Sequence, residues 1–168
     1  MIRKATAADI DNILQLTKAC ASAMIAKNIY QWNEKYPSRA AFETDVARNE
    51  LFVLEIDENI VGCIVISTFM DEVYHPVKWL TPNTENHFYI HRLGVHPDFQ
   101  GNGYAQALMH FAENMGVEAN KTSIRLDTFS KNPKNLKFYE ARGFERLEEI
   151  YFKQQSEYSF YCYEKILS

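Results

Sequence analysis

A glycine-rich turn between a strand and a helix limits the possible folds of this chain more than any other feature. His87–Val95 is a β-type run, and a helical pattern of apolar residues begins near Tyr104. The turn between them reads Gln100-Gly101-Asn102-Gly103-Tyr104-Ala105. Glycine accepts positive φ and lets a backbone approach a ligand closely, while a helix N-terminus offers N–H groups and partial positive charge. The turn is therefore a candidate phosphate site, although short glycine motifs also form plain tight turns.

The spacing excludes two common phosphate-binding motifs. The third glycine of a dinucleotide-binding fingerprint would fall at Gln106, and no Gly-Lys-Ser/Thr follows as in a P-loop.

Composition predicts one folded domain, residues 1–168. Apolar residues make up 46% and aromatic residues 14%, which is typical of a globular protein. A net charge of −4 argues against a nucleic-acid-binding protein, which needs a clustered basic face. The three cysteines are far apart in apolar runs, so we expect buried free thiols in a reducing compartment. The start of the chain lacks the apolar core of a signal peptide, and no apolar run could span a membrane, so we expect a cytoplasmic protein.

Hydrophobic periodicity and turn residues predict the order β-α-α-β-β-β-α-β-α-β-β, a mixed sheet with helices on its faces in the α/β class. Thr6–Asp9 has the pattern of a capping box, and Asn132-Pro133 supplies a good N-cap and first residue for the last helix. Gly116 and Gly143 mark expected helix ends. The predicted strands are residues 2–5, 51–56, 60–69, 87–95, 123–129, 145–152 and 158–166.

Three motifs occur in a fixed order along the chain. They are Val95-x-Pro97, then Gln100-x-x-Gly103-x-Ala105, then Asn132, Phe138-Tyr139 and Gly143-Phe144. Together they resemble the GCN5-related N-acetyltransferase (GNAT) superfamily, whose second motif is Arg/Gln-x-x-Gly-x-Gly/Ala. The agreement runs from His87 to Phe144, and the N-terminal third agrees in element order only. The resemblance implies the GNAT fold, a central mixed sheet of about seven strands flanked by about four helices, with a splayed parallel pair at its centre.

The resemblance implies acetyl-CoA as the cosubstrate. In the family, the pyrophosphate lies on the backbone N–H groups of the glycine-rich turn, here Gln100, Gly101, Asn102, Gly103, Tyr104 and Ala105. The pantetheine arm bonds main-chain groups of the preceding strand, here around Leu93, Gly94 and Val95. A β-bulge, which we place at Gly94, would start the splay of this strand from Ser123–Phe129. Asn132 is expected to bond the pantetheine arm, and the N–H of Leu93 to polarise the thioester carbonyl.

Two side chains are candidates for the proton transfers. The family resemblance assigns to Tyr139 the protonation of the leaving CoA thiolate, while the alternative is a core aromatic packed on Phe144. An alkylamine, with a pKa of about 10.4, must lose a proton before it attacks. Arylalkylamine acetyltransferases of the family carry two histidines in the motif strand, where this chain has His91 and Tyr89. His91 is our candidate general base, titrating near pH 6.5, with Glu85 or water behind it; the alternative is a structural histidine.

The amine acceptor is the part that the sequence determines least. In the family it enters from the face opposite CoA, through a pocket built by the first two helices and the loop before the motif strand. The expected substrate-binding residues are Tyr30, Trp32, Tyr74 and Tyr89, because aromatic faces attract cations. Aromatics in these segments are equally typical of packing at a sheet edge. We expect an N-acetyltransferase acting on a small primary amine; the alternatives are a protein or peptide N-acetyltransferase and a non-catalytic CoA-binding module. We predict no metal, nucleic-acid or membrane partner, and a monomer or homodimer.

Overall fold

The computed structural model of the protein describes all 168 residues. Its strands are β1 (Ile2–Lys4), β2 (Leu51–Ile56), β3 (Asn59–Ser67), β4 (His87–Val95), β5 (Ser123–Phe129), β6 (Glu145–Ile150) and β7 (Phe160–Ile166). Its α-helices are α1 (Ile10–Ile25), α2 (Arg39–Ala47), α3 (Tyr104–Glu118) and α4 (Pro133–Ala141). The α/β class and the predicted order of elements are confirmed. None of the helices combines the length and apolar character needed to cross a membrane.

The chain forms two compact units, and β4 and α3 contribute residues to both. The first unit consists of Met1–Ile66 with His91–Ala112, and the second of Ser67–Ile90 with Glu113–Ser168.

In the first unit, an antiparallel β1-β2-β3 sheet is covered by α1 and α2. Ile2 lies opposite Leu54, and Phe52 opposite Ile64. The backbone N–H of His96, just past β4, donates to the Val61 carbonyl at 2.8 Å. Helix α1 buries one face with the predicted three- and four-residue spacing. The core of this unit contains Ile10, Ile13, Leu16, Cys20, Ala21, Trp32, Phe42, Leu51, Val53, Cys63 and Val65.

In the second unit, the strands are ordered β4-β5-β7-β6. The start of β4 pairs with β5 in parallel, from His87 opposite Ser123 to Tyr89 opposite Arg125. β5 pairs antiparallel with β7 along its whole length, and β6 pairs antiparallel with β7. The predicted parallel pair is therefore confirmed, while its splay beyond these residues stays a prediction.

Local polar contacts set the helix starts. Ser38 Oγ accepts the N–H of Ala41 at 3.1 Å, which caps α2. Asn132 Oδ1 accepts the N–H of Asn135 at 3.3 Å, which caps α4 as predicted. The N–H of Thr6 donates to Asp9 Oδ2 at 2.8 Å across a 3₁₀ turn that leads into α1.

Several predicted element ends were wrong by one or two residues. Strand β3 ends at Ser67 rather than Phe69, because the N–H of Phe69 turns back to Ser67 Oγ at 3.0 Å. Helix α3 continues past Gly116 to Glu118, since a glycine inside a helix is tolerated where close packing excludes a side chain. Strand β6 ends at Ile150 rather than Phe152, and β7 begins at Phe160 rather than Tyr158. A backbone turn that begins at Phe152 separates the two strands, because the N–H groups of Gln155 and Ser156 donate to the Phe152 carbonyl.

Candidate functional site

The glycine-rich turn lies in the first unit, between β4 and α3. Gly101 and Gly103 both have left-handed φ, +83° and +78°. The side-chain amide of Gln100 donates from Nε2 to the Val95 carbonyl at 3.0 Å. The side-chain amide of Asn102 donates from Nδ2 to the Phe99 carbonyl at 3.0 Å. The first contact ties the turn to the end of β4, and the second ties it to the short 3₁₀ turn that precedes it, Pro97–Phe99.

Open space lies beside both glycines. A Cβ added at Gly101 or at Gly103 would meet no atom within 4 Å, so these glycines are required by backbone conformation and not by crowding within the protein. The N–H of Ala107 donates to the Gly103 carbonyl at 3.0 Å, so the hydrogen-bond ladder of α3 starts at the second glycine of the turn. An exposed turn with two left-handed glycines at the start of a 15-residue helix has the form of an anion site.

Strand β4 leads into this turn with an irregular backbone. The left-handed residue in the strand is Arg92, with φ +49°. The bulge that the sequence predicts at Gly94, two residues later, stays a prediction. Gly94 has a different reason to be glycine, because its Cβ would lie 3.1 Å from the Trp32 ring. The glycine at position 94 therefore permits close packing of Trp32, and Arg92 carries the left-handed conformation of β4.

Two core thiols contact the carbonyls on either side of Leu93 and Gly94. Cys63 Sγ donates to the Arg92 carbonyl at 3.4 Å, and Cys20 Sγ donates to the Val95 carbonyl at 3.2 Å. Both cysteines are free and buried, as is Cys162 in the second unit, so the prediction of buried free thiols is confirmed.

His91 occupies an environment that changes its expected role. The side chain is half-buried, and burial, followed by the charge of Arg92, lowers the pKa of His91 to about 3. The expectation of a titration near pH 6.5 does not fit this environment. The ring is neutral at physiological pH and can accept a hydrogen bond, but it holds a proton weakly.

The two predicted substrate aromatics of the first unit differ in exposure. Tyr30 is 52% exposed, whereas Trp32 is 6% exposed and packs in the core. The Tyr30 hydroxyl lies 3.4 Å from Asn28 Oδ1. Of these two, Tyr30 is the one available to a ligand from solvent.

Tyr139 lies in the second unit within a group of aromatic rings. Its ring centroid is 5.8 Å from that of Phe144 and 6.0 Å from that of Tyr163. Burial, followed by the charge of Asp127, raises the pKa of Tyr139, so its hydroxyl stays protonated at neutral pH. Asn132, the cap of α4, is also buried. The predicted acid is therefore in its proton-donating form, and the predicted packing against Phe144 is present as well.

Tyr74 and Tyr89 also belong to the second unit. Tyr74 is fully buried, and its hydroxyl donates to Asp127 Oδ2 at 2.5 Å. Its ring centroid is 5.9 Å from that of Tyr89, which is 4% exposed. Burial raises the pKa of Tyr89. These contacts are those of packing residues, and a substrate role for either tyrosine stays a prediction.

A buried ion pair in the second unit was missed by the sequence analysis. Arg125 Nε lies 3.0 Å from Glu164 Oε2, and both side chains are 0% exposed. The guanidinium also donates to the Thr81 carbonyl at 2.7 Å and to Asn83 Oδ1 at 2.8 Å, and it lies 4.6 Å from the centroid of the Trp79 ring. A charged residue within a strand is the signal that would have marked this pair.

Comparisons with known proteins identify acetyltransferases. The family model described as the acetyltransferase (GNAT) family matches residues 10–144. The chain is 27% identical over 153 residues to an uncharacterised N-acetyltransferase of Methanocaldococcus jannaschii, a match that covers 89% of this chain and 62% of the relative. It is 27% identical over 100 residues to the uncharacterised N-acetyltransferase YesJ of Bacillus subtilis, covering 60% of this chain and 55% of that protein. The chain thus spans less than two thirds of the length of these two relatives.

A solved structure has the same fold. The crystal structure of a GNAT-family acetyltransferase from Streptococcus agalactiae superposes with a TM-score of 0.82, at 24% identity, over 100% of this chain and 95% of that one.

Proposed function

The chain belongs to the acetyltransferase (GNAT) family, and we propose that it is an acetyl-CoA-dependent N-acetyltransferase acting on a primary amine of a small molecule. The observation that carries the proposal is the glycine-rich turn. Gly101 and Gly103 have left-handed φ, face open space and precede the N-terminus of α3. A pyrophosphate is the kind of group that such a turn binds.

The proposed reaction is direct attack of a neutral amine on the thioester. The amine nitrogen bonds to the carbonyl carbon and the carbon–sulfur bond breaks. The proton that nitrogen loses passes to water, and a second proton reaches sulfur. The backbone N–H of Leu93 is proposed to donate to the carbonyl oxygen, which gains negative charge as the bond forms. In the second unit, Tyr139 is proposed to protonate the thiolate. Its hydroxyl carries a proton at neutral pH, as a tyrosine with an ordinary pKa of about 10 also does, and the raised pKa makes it a weaker acid.

His91 is proposed to orient the amine. Since the pKa of its ring is about 3, the neutral ring accepts a hydrogen bond from the amine without storing the proton. kcat/KM should then rise with pH towards the pKa of the amine, about 10.4, with no ionisation of His91 between about pH 5 and 9. His91→Gln should lower the rate and leave the shape of the pH profile unchanged. An inflection near pH 6.5 that disappears in His91→Gln would show that His91 titrates as a base.

A small cationic amine agrees with the acidity of the chain. The net charge is −4, and Asp71 and Glu72 are exposed in the loop before β4. Acidic side chains attract a cationic substrate over a range of about 10 Å at moderate salt. A panel of amines, aminoglycosides and peptides, assayed by release of CoA, would identify the acceptor class.

The cosubstrate is tested by thermal unfolding with acetyl-CoA. A ligand at about 100 times its Kd stabilises the native state by about 2.7 kcal/mol, which for a chain of this size raises Tm by roughly 5–10 °C. Gly103→Asp places a carboxylate where the pyrophosphate is proposed to bind and should remove the shift. Gly143→Asp is the matched control, because Gly143 also has a left-handed φ, +92°, but ends α4. Absence of any shift with the wild-type protein would contradict the proposed function.

A further inference from the structure

Arg92 adopts a conformation that its residue type disfavours. Six non-glycine residues have positive φ, and the other five, Asn28, Asn49, Asp57, Glu58 and Asn120, lie in turns. Arg92 alone lies within a strand, with φ +49°. A left-handed conformation brings the Cβ of an L-residue too close to its own backbone, so surrounding contacts must hold Arg92 there.

The contacts that hold Arg92 come from α2 and from the segment before it. Arg92 Nε donates to Asp45 Oδ2 at 2.9 Å, and Nη2 donates to Asp45 Oδ1 at 2.7 Å. Nη1 donates to the Tyr36 hydroxyl at 3.2 Å. The side chain of Arg92 is 14% exposed and that of Asp45 is 3% exposed, so water competes little for the two-point contact between them.

The backbone of Arg92 is held as well. Its carbonyl accepts a hydrogen bond from Cys63 Sγ of β3 at 3.4 Å. The torsions of Arg92 set the plane of the peptide that joins it to Leu93, and this peptide carries the Leu93 N–H. With the side chain fixed by Asp45 and the carbonyl contacting Cys63, the direction of that N–H has little freedom.

We propose that Asp45 is a positioning residue for acetyl transfer. By its two-point contact with Arg92, Asp45 keeps the backbone of β4 in the left-handed conformation that directs the Leu93 N–H at the thioester oxygen. The inference rests on the proposed function, because it assigns a purpose to a donor that the proposed reaction uses. Neither Asp45 nor Arg92 contacts the reacting atoms in this role.

A second ion pair in the same unit provides a matched control. Arg3 Nη1 and Nη2 donate to Asp9 Oδ2 and Oδ1 at 2.8 and 3.0 Å, so this is also a two-point arginine–aspartate contact with a carboxylate only 13% exposed. It ties β1 to the start of α1 and lies outside the proposed site. Asp9→Asn should therefore reproduce the loss of an ion pair without altering β4.

The test compares Asp45→Asn with Asp9→Asn. Acetyl-CoA carrying ¹³C at the carbonyl is bound to each variant, and infrared difference spectra record the thioester C=O stretch. In the wild type, the Leu93 N–H should shift this stretch to lower frequency. Asp45→Asn should reduce the shift and lower kcat by about 10- to 100-fold, since a small misplacement of a donor has effects of this order. The Kd of CoA should change by less than about 2-fold, because the turn at Gly101 and Gly103 is unaltered.

Arg92→Lys covers the case in which Asp45→Asn does not fold. Lysine keeps the charge but loses the two-point contact, so it should show the same reduced carbonyl shift and lower kcat. The proposal is overturned if either folded variant matches Asp9→Asn in both carbonyl stretch and kcat. It is also overturned if the wild type binds and turns over acetyl-CoA with no carbonyl shift, a result that leaves the proposed function intact. Failure of acetyl-CoA to bind the wild type would instead overturn the proposed function.

Discussion

Replacing Glu164 by glutamine should destabilise the second unit strongly. Glu164 is 0% exposed and accepts four hydrogen bonds. Its Oε2 accepts from Arg125 Nε at 3.0 Å and from the hydroxyls of Ser123 and Thr81, each at 2.5 Å. Its Oε1 accepts the N–H of Leu80 at 2.6 Å. Burial alone would raise the pKa of Glu164, but these hydrogen bonds outweigh it and lower the pKa, so the group is ionised at neutral pH.

The magnitude follows from what glutamine cannot do at this position. Glutamine has one oxygen and one NH₂ group, so in either orientation the NH₂ faces donors instead of acceptors. It also leaves the buried Arg125 without a counter-charge. Breaking a buried ion pair on one side costs about 3–5 kcal/mol, a large part of the roughly 5–15 kcal/mol that stabilises a typical domain. For a chain of this size, Tm should fall by roughly 6–20 °C.

Urea unfolding followed by circular dichroism measures the free energy of unfolding. Tryptophan fluorescence is a second probe, to which Trp79, whose ring lies against Arg125, and Trp32 of the first unit both contribute. Glu140→Gln is the matched control. Glu140 pairs with Arg146 at 2.8 Å, but the two side chains are 45% and 43% exposed, so its loss should change the midpoint little.

Two outcomes would refute the reasoning. One is a midpoint for Glu164→Gln no lower than that for Glu140→Gln. The other concerns the cause: adding Arg125→Met to Glu164→Gln removes the uncompensated charge and should restore part of the lost stability. A double variant less stable than Glu164→Gln would show that the isolated charge is not the main cost.

Three further predictions concern other parts of the chain. Tyr139→Phe should lower turnover by roughly 10²–10⁴-fold with CoA affinity unchanged, and equal turnover would leave Tyr139 as a packing residue. Hydrogen bonds from Arg3 lower the pKa of Asp9 to about 2. Because the pKa of Asp9 is lower in the folded state, this stabilisation is full above about pH 4 and is lost as pH falls towards 2. In Asp9→Asn, the free energy of unfolding in urea should therefore depend less on pH between about 4 and 2. The same pH dependence in the variant and the wild type would contradict this. A Cβ at Gly116 would lie 2.5 Å from Leu167 Cδ1. In a Leu167→Ala background, Gly116→Ala should therefore raise stability by about 0.5–1 kcal/mol through helix propensity, and a further loss would point to a different obstruction.

The turn of the candidate site was predictable because its cause is local. Gly101 and Gly103 lie between a strand ending and a helix start, and all three features are separated by fewer than ten residues. The same holds for the cap at Asn132, where a side chain reaches a backbone N–H three residues away. Errors at the ends of β3 and β6 arose where a backbone turn or a single hydroxyl stops a strand before its apolar pattern ends.

The sequence by itself determined the order of the elements, the α/β class, the glycine-rich turn and the family motifs, because periodicity, capping and left-handed glycines act over a few residues. Only the tertiary structure decided which residues act on β4 and which charges are buried. Arg92 and Asp45 are 47 residues apart, and Arg125 and Glu164 are 39 apart. The pKa of His91 likewise depends on what packs around its ring. Such properties come from the meeting of distant segments, since burial and charge pairing belong to the folded surroundings of a residue and not to its type.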